Sequence, residues 1–193
     1  MNFLAHLHLA TLAGSSLTGN LMADYVRGNP HGMWPEQIAQ GIQLHRRIDA
    51  MTDSLPEVRA ARALFRGQTW RVAPIALDII WDHFLALQWN TIQPEISLPV
   101  FLADCHSVIH RELHTTPPRF RTLNEHLWTE RWMEKYADVD WLKKVFSGIA
   151  SRRPRLAALT ESHQDFTDNY QNLSEIFWQF YPTMMKQAVR RQL

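Results

Sequence analysis

Asp78 and Asp82 stand four residues apart, with His83 following, inside the apolar segment IALDIIWDHFL. On a helix that spacing projects both carboxylates from one face. A carboxylate is costly to bury unless a cation or close hydrogen-bond partners meet it, so a bound metal is a natural explanation. The plainer alternative is one solvent-facing Asp and one Asp bonded to Arg where helices pack. A second group, GIQLHRRID from Gly41 to Asp49, sets His45 and Asp49 at i, i+4 with Arg46 and Arg47 between them. Such a His and Asp can share one metal, or the Asp can orient the imidazole from behind it. Arg46 and Arg47 could meet phosphate oxygens, or form an ordinary solvated basic face. Asp53 is weaker, because it could simply cap the next helix.

The remaining candidates lie near the start of the chain. His6 and His8 in FLAHLHL are roughly 200° apart on a helix, so one of them at most reaches a shared site. His6 is the favoured one, against the alternative of a hydrogen-bonded core histidine. Asp24 lies among Leu21, Met22, Tyr25 and Val26, where the burial argument applies again. His106, His110 and His114 form a helical stripe without an acidic partner and read as surface. Ser15-Ser16 lacks a nucleophile-elbow context, Cys105 has no evident base, and no Walker, dinucleotide or EF-hand motif occurs. Oxygen and imidazole donors without thiolate favour Mn, Mg or Fe. A metal beside arginines suits phosphoester hydrolysis, since it acidifies bound water and steadies charge on phosphoryl oxygens.

Separated helices must bring these residues together, as in a bundle that builds a metal site in its core. Segments of 3.6-residue periodicity succeed one another without alternating strands, so the expected class is all-α, a single-domain helical bundle over residues 1–193. Predicted helices run from Glu36 to Ala50, Pro74 to Trp89, Leu98 to Leu113, Phe120 to Tyr136, Asp140 to Ser151 and Leu156 to Tyr181, with a short basic tail from Pro182. Ser54 is expected to cap a further helix, with Pro56 in its first turn and Glu57 closing a capping box. Asn90 to Ser97 and Thr115 to Pro118 read as loops. The apolar start, Phe3 to Ala13, lacks a preceding Lys or Arg and contains two histidines, so it reads as ordered mature structure rather than a leader.

Composition narrows the classes further. A chain of 193 residues with 46% hydrophobic content supports one full-sized core. One cysteine excludes an internal disulfide and every Cys-x-x-Cys site, which suits a reducing cytoplasm. The longest apolar stretch, Val72 to Trp81, is broken by Pro74 and Asp78 and is too short to span a membrane. A net charge of +1 argues against a general nucleic-acid coat. Arg greatly outnumbers Lys, which fits recognition of an acidic or phosphorylated partner, although a GC-rich genome gives the same bias. Arg59, Arg62 and Arg66, Arg119 and Arg121, and Arg152, Arg153 and Arg155 are three candidate docking groups.

The blocks NFLAHLHLA, SLTGNLMADYVRG, GIQLHRRIDAMTDSLPEVR, RVAPIALDIIWDHFL, ASRRPRL and FWQFYP together resemble the acyl carrier protein phosphodiesterase, or ACP hydrolyase, family. The resemblance runs essentially end to end. It implies a cytoplasmic, Mn²⁺-dependent enzyme that removes 4′-phosphopantetheine from holo-acyl carrier protein, with a fold distantly similar to the HD-type phosphohydrolases. It places His6, Asp24, His45, Asp49, Asp53, Asp78, Asp82 and His83 on family motif positions. The pair Asp82-His83 reverses the His-Asp order of HD enzymes, so ligand roles do not transfer directly. The expected metal set is His6, Asp24, His45, Asp78, Asp82 and His83. Asp24, His45, Asp49, Arg46 and Arg47 are expected in catalysis. Two other functions use the same residues differently: an HD-type nucleotide or alarmone phosphohydrolase, and a non-catalytic helical adaptor for an acidic protein.

Overall fold

A computed structural model covers residues 1–193 and is built of α-helices joined by short turns, with one isolated bridge, His31 to Trp34, in place of any sheet. In chain order the helices are α1 (Phe3–Ala13), α2 (Leu17–Met22), α3 (Glu36–Ser54), α4 (Pro56–Arg62), α5 (Thr69–Leu87), α6 (Trp89–Ile92), α7 (Leu98–Glu112), α8 (Pro118–Thr129), α9 (Trp132–Lys135), α10 (Val139–Arg152), α11 (Leu159–Asp168) and α12 (Tyr170–Val189). A 3-10 turn at Ala23–Tyr25 continues α2. The buried apolar side chains form one connected core of 47 residues. No helix is long and apolar enough to cross a membrane.

Helix α1 is the hub. Its sequence is apolar nearly all round, the pattern of a helix enclosed on every side, and Leu4 through Ala10 are all buried. It packs against α2, α3, α5 and α12. Gly14, left-handed at φ 62°, ends it by donating to the carbonyls of Ala10 and Thr11. The expected ordered start of the chain is therefore present as a core element.

Helices α2 and α3 cross at two glycines. A Cβ on Gly19 would lie 2.3 Å from the Ile38 carbonyl oxygen, and one on Gly41 would lie 2.8 Å from that of Ser16. Only residues without side chains permit this approach. The crossing lies one turn before His45 on α3 and shortly before Asp24, so it fixes how far apart those two side chains stand.

Several expected boundaries shift. Helix α3 runs on to Ser54 rather than ending near Ala50, and Ser54 Oγ donates back to the Met51 carbonyl instead of capping α4. Helix α5 begins at Thr69, ahead of Pro74, which it accommodates early in its length. The helix expected from Phe120 to Tyr136 is divided by Arg131, held left-handed at φ 53°. The one expected from Leu156 to Tyr181 is divided at Asn169, whose side chain bonds the Asp165 carbonyl. Pro182 does not end α12, because Phe180, Tyr181, Met184 and Ala188 anchor both sides of it in the core. The expected basic tail is thus mostly helix.

Candidate metal centre

Four elements converge near the N-terminal end of α1. On α3, His45 and Asp49 share a face, and His45 Nε2 lies 3.2 Å from Asp49 Oδ2. From α1, His6 Nε2 donates to the other oxygen, Oδ1, at 3.1 Å. One carboxylate therefore gathers two imidazoles, whose rings stack with centroids 3.7 Å apart. Asp24, in the 3-10 turn after α2, stands 3.5 Å from His45 Nε2. The Met1 α-amino group lies 3.2 Å from Asp49 Oδ1 and 2.5 Å from Asp78 Oδ1, which brings α5 into the cluster.

The electrostatics divide the two imidazoles. Burial, reinforced by the charge of His45, pushes His6 down to about 4. Burial works against charge on His45 as well, but hydrogen bonds to Asp24 and Asp49 outweigh it and raise that ring to about 9. Asp49 is held well below the usual carboxylate range, since His45 and His6 together overcome its partial burial. Asp24 is lowered chiefly by its bond with His45. Burial also disfavours the Met1 ammonium, yet Asp78 and Asp49 raise it to about 11. The cluster is a place where carboxylates hold positive charge.

The donor set fits a divalent metal. Ligand atoms of His6, His45 and Asp49 all lie within 4.8 Å of one another, and two imidazoles with a carboxylate suit Mn²⁺ or Fe²⁺. His6 Nδ1 and His45 Nδ1 are buried without a partner. So is Asn20 Oδ1, a residue the sequence reading passed over. Asn20 Nδ2 donates to the Ser16 carbonyl at 2.9 Å, which turns Oδ1 the other way. Asn20 lines one small pocket with His6, Asp24 and His45. A short polar residue in a six-residue helix carries no periodic signal, so nothing in the sequence marked it.

Other expected site residues stand apart from this cluster. Asp82 is fully buried and accepts the backbone N–H groups of Leu4 at 2.8 Å and Ala5 at 3.0 Å. It caps the first turn of α1, so hydrogen-bond donors rather than a cation answer its burial. Burial raises Asp82 to about 7, with the two N–H bonds opposing. His83 faces elsewhere: Nδ1 donates to the Tyr136 carbonyl and Nε2 accepts from the Tyr170 hydroxyl, so neither nitrogen is open to a metal. Arg46 donates to the carbonyls of Val26 and Gly28, both at 2.7 Å, and so clamps the segment after Asp24. Arg47 donates to the Leu193 carbonyl and lines a separate cavity with Arg191 and Gln43. Asp53 is exposed at the end of α3.

Among known proteins, a family model described as acyl carrier protein phosphodiesterase matches residues 1–184. Two proteins named acyl carrier protein phosphodiesterase, from Enterobacter sp. (strain 638) and from Salmonella dublin, are each 55% identical over 193 residues, covering all of this chain and all of theirs. A protein of the same name from Salmonella heidelberg (strain SL476) is 54% identical over the same full span. No solved structure matches the chain.

Proposed function

Because this chain belongs to the acyl carrier protein phosphodiesterase family, we propose that it hydrolyses the phosphodiester of holo-acyl carrier protein, releasing 4′-phosphopantetheine and apo-carrier protein with the help of a divalent metal, Mn²⁺ foremost. The observation that carries the metal-dependent reading is the convergence of His6 and His45 on the single carboxylate of Asp49. These three residues would hold the ion, with Asp24 and the Asn20 carbonyl oxygen beside them. Such an ion supplies an acidified water and offsets charge gathering on the phosphoryl oxygens.

The chain's own residues do the positioning. Asp49 fixes both rings, and ring stacking keeps His6 and His45 in register. Asp82 fixes the first turn of α1 and hence the direction from which His6 approaches. Asp24, whose side chain is 77% exposed, forms the open side of the cluster and stays ionised beside His45, ready to accept a hydrogen bond from an incoming hydroxyl or water. The shared proton on His45 Nε2 is the charge that must leave before this nitrogen can act as a ligand. The cytoplasm is the proposed setting, in keeping with a single buried cysteine.

Intact-mass measurement of purified holo-carrier protein, incubated with the chain with and without Mn²⁺, tests the reading. Conversion to the apo mass only with metal is the expected result. Unchanged carrier protein from folded, metal-loaded chain would overturn it, and a nucleotide panel would then test the phosphohydrolase alternative.

A further inference from the structure

Asn20 follows Gly19 on α2, where α2 and α3 touch, and its side chain is fully buried. Its amide has one allowed direction. Nδ2 donates to the Ser16 carbonyl at 2.9 Å and to Ser15 Oγ at 3.3 Å. A carbonyl only accepts, so the nitrogen must face Ser16 and the amide oxygen must face the opposite way. No protein group meets that oxygen. A buried acceptor left alone bears its full desolvation cost, so a group with a hydrogen or a positive charge to offer belongs beside it.

The space beside it narrows the choice. Asn20 shares with His6, Asp24 and His45 a cavity of about 10 Å³, room for a single water and too little for a phosphoryl group. Asp24 stands four residues on, in the 3-10 turn that continues α2, so both side chains line the cavity from the same side. Asn20 is the closed end and the 77% exposed Asp24 the open end. Asp24 turns Oδ1 to His45 Nε2 at 3.5 Å, which leaves Oδ2 for another partner. The ligand atoms of His6, His45 and Asp49 already gather as a seat for an ion. Between Asn20 and Asp24 there remain two acceptors and a water-sized gap, and a water has two hydrogens to give them.

We infer that Asn20 is a catalytic residue that holds the attacking water, its Oδ1 accepting one hydrogen while Asp24 accepts the other. This inference rests on the proposed reaction and names the residue that aims its nucleophile. With both hydrogens committed, the lone pairs of the water are turned away from the two acceptors and towards the incoming phosphodiester. The water oxygen bonds to phosphorus as the bond from phosphorus to the carrier-protein oxygen breaks. Asp24 takes one proton and, being exposed, releases it to solvent, from which the departing oxygen takes its own. The hydrogen on the Asn20 side stays with the new phosphate monoester. A neutral amide cannot take that proton, so Asn20 orients the water without competing with Asp24 as base. Ser15 and Ser16 act through Asn20 by fixing the direction of its amide.

The test has a structural arm and a kinetic one. Crystals of the parent, grown without metal and then soaked in Mn²⁺, should show an ordered water within about 3.2 Å of both Asn20 Oδ1 and an Asp24 oxygen. Asn20→Ala, checked for helix content by circular dichroism, should lower kcat on holo-carrier protein about tenfold to a hundredfold. Its KM, and its Mn²⁺ affinity read by calorimetry, should stay within about threefold of the parent. Parent crystals with no water at Oδ1, or with Mn²⁺ bonded directly to it, would overturn the inference even if N20A fails to fold. So would parent-like kcat in N20A, or a fall in Mn²⁺ affinity that matches the fall in kcat, which would make Asn20 a metal ligand. These outcomes leave the reaction standing. Parent protein that holds the water but leaves carrier protein unconverted would overturn the reaction itself, and with it the catalytic role of Asn20.

Discussion

The imidazoles of His6 and His45 lie face to face, only 15° from parallel, although one comes from α1 and the other from α3. Their shared partner is Asp49, which takes one ring nitrogen on each oxygen. The arrangement makes Asp49 the pivot of the cluster rather than an outlying proton carrier.

Replacing Asp49 with Asn keeps the size of the side chain and removes the charge. Mn²⁺ affinity, read by calorimetry or electron paramagnetic resonance, should fall by at least about tenfold to a hundredfold, and carrier-protein turnover should drop below detection. Helix content should persist, since Asp49 lies outside the apolar core. Parent-like metal affinity in D49N would count against the proposed centre.

Asp82 should behave differently. Changing it to Ala leaves the N–H groups of Leu4 and Ala5 buried without their acceptor, a loss of about 2–5 kcal/mol for charge-assisted bonds of this kind. Urea denaturation of D82A in metal-free protein should show that destabilisation relative to the parent. Parent-like stability of D82A would refute the capping role.

His8 supplies a pH dependence separate from the metal. Its Nδ1 meets the Tyr181 hydroxyl and its Nε2 the Gln93 amide, and burial holds it down to about 4. The folded ring stays neutral where the unfolded ring, near 6.5, takes a proton. Its contribution is thus complete above about pH 6.5 and is lost as pH falls towards 4, amounting to about 2 kcal/mol by pH 5. Urea midpoints at pH 7.5 and 5 should differ more for the parent than for H8Q, and equal differences would refute it.

The crossing of α2 and α3 offers a packing test. Gly41→Ala puts a methyl against the Ser16 carbonyl, where neither backbone can yield cheaply. A loss of about 2–4 kcal/mol is expected, together with weaker metal binding, because the crossing sets the spacing of Asp24 and His45. Gly148→Ala, where the nearest atom is a flexible Arg152 nitrogen at 3.6 Å, should be close to neutral. Thermal melts of the pair would show whether the crossing is as tight as drawn.

What was legible in the sequence follows from what is local. Periodicity marked the helical class and most helices, and i, i+4 spacing paired His45 with Asp49. The burial argument correctly marked Asp82 as needing partners, but it could not tell a metal from a helix end, because Leu4 and Ala5 reach Asp82 only once α1 and α5 are packed. For the same reason the direction of His83, settled by Tyr136 and Tyr170, was hidden. Arg46 read as a phosphate ligand because nothing in the sequence reveals two carbonyls waiting across a turn. Prolines 74 and 182 misled in the other direction, since burial on both sides outweighed one lost backbone bond.

The Arg46 clamp has a kinetic meaning. By holding the carbonyls of Val26 and Gly28, it ties the stretch after Asp24 to the residue next to His45, so both walls of the opening hang from a single turn of α3. An entrance framed in this way resists reshaping for as long as Arg46 keeps both carbonyls. Turnover would then be paced by how often a carrier protein arrives correctly oriented and how quickly the product departs, and hardly at all by rearrangement of the enzyme.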